Sequence, residues 1–187
     1  MKKILFILFI FCFNFSFSQN PGEWVWLRGD SLGVANFGIQ GVPSALNNPP
    51  LVYEACEWTD FNGNFWLYSG DGTAALWKYD PITNEWTWMK GPNISGYPGS
   101  YGIQGISDPG NCPPSPLYGS ITFIDNQGDL WLFGGGSIEN NLWRYKISTN
   151  EWTWMKGPGS TYQAGIYGTQ GVPDPANNPE ARQESAV

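Results

Sequence analysis

Apolar and polar residues alternate along this chain in short runs separated by Gly, Asn, Asp and Pro, which is the period of half-buried strands and not the 3.6-residue stripe of helices. The alternation predicts strands over residues 53–59, 64–68, 75–79 and 85–89, and again over 118–124, 129–133, 141–147 and 151–155. Asp60-Phe61-Asn62-Gly63-Asn64 and Asp125-Asn126-Gln127-Gly128-Asp129 read as the hairpin turns joining the first two strands of each set. Leu130 and Leu132 point to one side of their strand while Trp131 and Phe133 point to the other, so the sheet must be covered on both faces. At the N-terminus the pattern differs: Lys2 and Lys3 precede an apolar run over 4–13 and a small-residue end near Ser18, which predicts a signal peptide over 1–18, removed on export.

The runs belong to a repeat. Thr83-Asn84-Glu85-Trp86-Thr87-Trp88-Met89-Lys90-Gly91-Pro92 recurs unchanged at 149–158, and Glu23-Trp24-Val25-Trp26-Leu27-Arg28-Gly29 is a looser copy. Each copy leads into a long Gly/Pro loop with its own signature, Phe37-Gly38-Ile39-Gln40-Gly41, Tyr101-Gly102-Ile103-Gln104-Gly105 and Tyr167-Gly168-Thr169-Gln170-Gly171, ending in an Asn-x-Pro stretch. Four antiparallel strands per repeat, each sheet covered by its neighbours, is the geometry of propeller blades packed about an axis. The expected division of 19–187 is two complete blades at 53–89 and 118–155, an opening fourth strand near 23–27, and the start of a third blade near 183–187.

Leu132-Phe133-Gly134-Gly135, followed by Trp143-Arg144-Tyr145 and then Trp152, resembles the kelch repeat of the galactose-oxidase superfamily: a diglycine, then a Tyr, then a Trp. The resemblance covers nearly all of the chain after the leader and implies an all-β fold, a kelch-type β-propeller with four-stranded antiparallel blades, incomplete in this chain. The first copy departs from it with Tyr68-Ser69-Gly70, and the spacing departs too, since Trp24 to Trp86 is 62 residues and Trp86 to Trp152 is 66 against about 50 for a kelch repeat. Trp86, Trp88, Trp131, Gly134, Gly135, Trp143, Tyr145, Trp152 and Trp154 are then structural repeat positions. Closure needs about four to eight blades, so the expectation is the N-terminal part of a longer propeller, with the remaining blades or self-association covering its open ends.

Alternating strand directions place the long loops at 29–50, 91–116 and 157–180 on one face, beside the shorter loops at 70–74 and 134–140. On that face Tyr101, Gln104, Asp108, Asn111, Tyr167, Gln170 and Asp174 are the candidate ligand-binding residues, with Gln40 in the first loop. Aromatic rings stack on sugars, and amides and carboxylates bond hydroxyls. The same recurrence also suits residues that make the loop fold, with a buried Gln tying down backbone groups.

Composition narrows the chemistry. Eleven Trp, nine Tyr and eleven Phe with twenty-four Gly describe aromatic strands joined by turns, and the charge of −7, which becomes −9 without Lys2 and Lys3, argues against nucleic acid. The chain has no histidine, so it cannot carry the copper site that the resemblance would otherwise suggest, and it shows no catalytic triad or metal-ligand spacing: no cofactor and no metal are expected. Arg28-Gly29-Asp30 reads as a strand exit more than an adhesion tripeptide, because it shares its register with Lys90-Gly91-Pro92. Cys56 and Cys112 occupy different repeat positions, which leaves a bridge or two separate thiols open.

Three functions fit: a secreted, non-catalytic module presenting its loops to an extracellular protein or glycan; part of a galactose-oxidase-like or sialidase-like enzyme whose catalytic residues lie in other blades; or a structural cell-surface repeat with no ligand. In each the membrane is met only through the signal peptide, before its cleavage.

Overall fold

The computed structural model describes residues 22–68, 72–115, 117–136 and 139–182. The expected signal peptide, the expected start of a third blade at 183–187, and Ser69, Gly70 and Asp71 lie outside the described residues.

The chain is all-β, with two four-stranded antiparallel sheets each built from consecutive strands. The first contains β1 (Cys56–Thr59), β2 (Phe65–Tyr68), β3 (Leu76–Asp80) and β4 (Glu85–Lys90); the second contains β5 (Ile121–Ile124), β6 (Leu130–Phe133), β7 (Leu142–Lys146) and β8 (Glu151–Lys156). Their registers are copies of one another, down to the irregularity at Leu76/Trp77 and again at Leu142/Trp143. The first strand of each sheet starts three residues later than the alternation predicts. Glu54 and Gly119, two residues before those strands, hold φ at 47° and 63°, and a left-handed residue cannot lie in a ladder.

Hairpin turns are set by a single carboxylate. Asp60 accepts the backbone N–H of Asn62 and Asn64 at 2.9 and 3.0 Å and the indole N–H of Trp66 at 2.8 Å. Asp125 does the same for Gln127, Asp129 and Trp131 at 2.9, 3.0 and 2.8 Å.

The two sheets stack face to face, with β1 against β5. Cys56, Trp58, Trp66, Tyr68 and Leu76 of the first meet Leu130, Leu132, Trp143, Tyr145 and Trp152 of the second in one buried cluster. Trp66 tilts against Tyr145 with centroids 5.7 Å apart, and Tyr68 meets Trp152 edge-on at 5.4 Å. Burying one such ring removes about 150–250 Å² from water, so this layer dominates the stability of the pair. Cys56 and Cys112 are both buried and both free thiols.

Residues 23–27, expected as an opening strand, pair with no strand among the described residues, and Trp24 is 98% and Trp26 67% exposed. A fourth strand forms only against a third, and among the described residues none stands beside this segment.

Candidate functional site

Each of the first two long loops grips the last strand of the sheet that follows it. In the first loop the N–H groups of Gly41 and Ser44 donate to the carbonyls of Trp88 and Trp86 at 2.8 and 3.2 Å, and Asn47 Nδ2 donates to Trp86 at 2.9 Å and to Val42 of its own loop. In the second, Gly105 donates to Trp154 at 2.8 Å, Asp108 bridges to Trp152, and Asn111 Nδ2 donates to Trp152 at 3.2 Å and Ile106 at 3.0 Å. Gln40 and Gln104 add bonds to the carbonyls of Gly91 and Gly157 at 3.2 and 3.1 Å.

An aromatic plug completes the grip. Phe37 seats between Trp77 and Trp88 with centroids at 4.9 and 5.1 Å, and Tyr101 between Trp143 and Trp154 at 5.0 and 5.2 Å. The residue after each plug is Gly with a φ near 60°, and a Cβ on Gly102 would collide with the amide oxygen of Asn111. Glycine is thus required where the buried Asn passes beneath the turn.

Between successive loops lie two equivalent hollows. One, of about 240 Å³, is lined by Gln40, Lys90, Tyr97 and Pro109; the other, of about 220 Å³, by Gln104, Lys156, Gln163 and Pro175. In the first, Lys90 Nζ donates to the Pro109 carbonyl at 2.7 Å, and burial holds its pKa below the ordinary lysine value. In the second, Lys156 finds no acceptor among the described residues, and Gln163 donates only to Thr161, at 3.0 Å. The second hollow therefore presents an uncommitted ammonium beside two amides.

A polar cluster breaks the repeat nearby. Where β3 is preceded by Thr73, Ala74 and Ala75, β7 is preceded by Glu139, Asn140 and Asn141, all buried. Asn141 Nδ2 donates to Glu139 Oε2 at 2.7 Å and to the Tyr101 hydroxyl at 3.4 Å, and Asn140 Nδ2 donates to the Pro179 carbonyl at 2.8 Å. Burial pushes the Glu139 carboxyl up, beyond what Asn141 and Tyr101 recover, and burial beside Glu139 pushes Tyr101 up as well. This cluster ties the second and third loops to the second sheet.

Of the residues singled out from the sequence, Gln104 lines a hollow, although it is exposed where a buried amide was expected. Tyr101 is half-buried as a plug and Asn111 is buried with both amide protons committed. Asp108 and Asp174 are exposed and cap their own turns, accepting from Gly110 and Ala176 at 2.7 Å each. Tyr167 and Gln170 are exposed on the third loop, apart from the others. Lys156, Gln163 and the Glu139 cluster were not singled out. Comparing the copies position by position reveals the cluster, because Glu139-Asn140-Asn141 stands opposite Thr73-Ala74-Ala75.

Among the described residues no group of three or more His, Cys, Asp or Glu is placed to hold a metal ion, and no helix is long and apolar enough to cross a membrane. No protein-family model matches this chain, and no curated protein matches it in sequence.

Proposed function

We propose that this chain is a secreted, non-catalytic binding module, part of a kelch-type β-propeller, whose long-loop face takes an extracellular glycan or protein. Support for export comes from Lys2 and Lys3 ahead of the apolar run over 4–13. Support for a propeller comes from two sheets of the same four-strand order stacked face to face. The observation that carries the binding reading is the recurrence of one hollow between successive loops, with Lys156 uncommitted in the second. Open hollows of about 220–240 Å³ with a lysine and a glutamine on the wall suit a sugar unit, whose apolar face and hydroxyls both find partners there, and a repeated pair gives avidity to a repeating chain.

Glycan-array screening followed by calorimetry tests this. Binding of a polysaccharide that weakens about tenfold in Lys156→Ala, as expected for a lost charge-assisted bond, supports the reading. Glycan binding that is indifferent to both Lys156→Ala and Gln104→Ala, or no binding to any glycan or extracellular matrix protein, overturns it.

A further inference from the structure

The two hollows between successive loops share a frame but differ in their walls. In each, the lysine that ends the fourth strand of a sheet, Lys90 or Lys156, meets the proline turn of the next loop, Pro109 or Pro175. Tyr97 and Gln163 are equivalent, because the Ser115 N–H donates to the Tyr97 carbonyl at 2.8 Å and the Ala181 N–H to that of Gln163 at 3.0 Å. Cys112 and Asn178 are equivalent too, bridged to Ser100 and Ile166 of their own loops. From the first hollow to the second, an aromatic ring and a thiol thus give way to two amides.

The opening of the first hollow does not depend on the sheet that follows. That sheet is in place, yet the walls of the hollow run from Gln40 to Cys112 and include none of its residues. The second hollow is walled in the same way, from Gln104 to Asn178.

Free hydrogen-bond donors mark the second hollow. Lys90 spends a proton on the Pro109 carbonyl at 2.7 Å, whereas Lys156 spends none among the described residues. Gln104 commits one amide proton, to the Gly157 carbonyl at 3.1 Å, and Gln163 commits one, to that of Thr161 at 3.0 Å; a primary amide has two. No Asp or Glu lines the hollow, in a chain with 16 acidic residues against 9 basic ones. An ammonium is a compact charge with three rotatable donors, and its bond to an oxyanion is about twice as strong as a neutral one.

We propose that the second hollow takes the anionic group of an acidic glycan, a uronate carboxylate or a sulfate ester, with Lys156 as counter-ion and Gln104 and Gln163 as flanking donors. This inference rests on the glycan reading above and narrows it to charged sugars. A chain of charge −7 repels polyanions at long range, so a preference for the acidic form has to come from local contacts.

Calorimetry on the wild-type protein tests this by comparing an oligogalacturonate with its methyl ester, and a dextran sulfate with dextran. The expected result is that an acidic ligand binds about tenfold or more tighter than its neutral counterpart, as for a gained charge-assisted bond, and the pair that shows it identifies the group. Lys156→Met, and Gln163→Tyr, which restores the side chain of the first hollow, are each expected to erase most of that ratio. Lys146→Met, at the opposite end of the sheet, leaves it intact, and near-ultraviolet circular dichroism verifies the fold of every variant. Binding with a ratio near one in both pairs overturns the inference and leaves the glycan reading standing. So does a ratio that survives Lys156→Met or falls equally in Lys146→Met, because the charge is then not read in this hollow. Absence of binding to acidic and neutral glycans alike overturns the inference together with the glycan reading.

Discussion

The indole N–H of Trp58 in the first sheet donates to the backbone carbonyl of Trp131 in the second, at 2.9 Å, in a layer that the Cys56 thiol also crosses, to the Leu117 carbonyl at 3.1 Å. Of these, only the Trp58 bond joins strand to strand, and it helps fix the offset between two sheets whose aromatic faces would tolerate sliding. Trp58→Phe removes the donor and part of the ring, with an expected loss of about 1–3 kcal/mol. Urea unfolding measures it, and an unchanged midpoint means that packing alone sets the offset.

Asn111 and Asn177 occupy the same place in successive loops, but among the described residues only the first holds a strand. Asn111→Ala strands the Trp152 and Ile106 carbonyls in a buried site, and the expected destabilisation is about 2–3 kcal/mol. Asn177→Ala releases one carbonyl at a more open site and is expected to stay under about 1 kcal/mol. Equal losses would show that these asparagines act within their own loops and not through the gripped strand.

Carboxylates in this fold pull the acid response in two directions. Burial pushes Asp60 up, but donations from Asn64, Trp66 and Asn62 outweigh it and hold its pKa below 3.8; Asp125 is likewise lowered, by Trp131, Asp129 and Gln127. The folded state prefers these groups ionised, so their contribution is present above the ordinary value and is lost as pH falls through the lowered one. Glu139, raised above 4.5 by burial, acts oppositely. The folded state holds its proton, so that contribution is present at low pH and fades as pH rises from 4.5 through the raised value. Glu139→Gln keeps the polar contacts without the charge. Urea midpoints across this range are expected to fall with rising pH less in the variant than in the wild type, and parallel curves would dissociate Glu139 from the response.

Neither thiol is expected to react in the folded protein. Burial pushes Cys56 up to about 12 and Cys112 up to about 11, so the thiolate is scarce at neutral pH. A thiol reagent should modify both only as fast as the sheets open, and urea should release both together. Rapid labelling of Cys112 alone would reveal local opening of the second loop, which the Tyr68 hydroxyl ties down through the Pro113 carbonyl at 2.7 Å.

The strands were legible because alternation and turn residues are local. Asp60 and Asp125 announced hairpins, and Trp66 and Trp131 fall six residues later in both copies, within reach of the same carboxylate. Strand starts were less legible. Gly119 signals a left-handed residue, but Glu54, which takes the same conformation, carries no such mark. The grip of each loop on the following strand was hidden for a different reason: its acceptors are the carbonyls of Trp86, Trp88, Trp152 and Trp154, and a main-chain acceptor leaves no trace in side-chain identity. Residues 23–27 read as a strand because their side chains are those of one, while strand formation also requires a neighbour.

A loop that holds the strand 39 or 41 residues further on imposes a direction on biosynthesis. At about 5–20 residues per second, each loop leaves the ribosome several seconds before its strand exists, with Phe37 or Tyr101 bare in the meantime. The nascent chain thus always trails one waiting aromatic, which the next repeat covers as it emerges, so assembly runs as a ratchet from the N-terminus and chaperone demand recurs once per repeat.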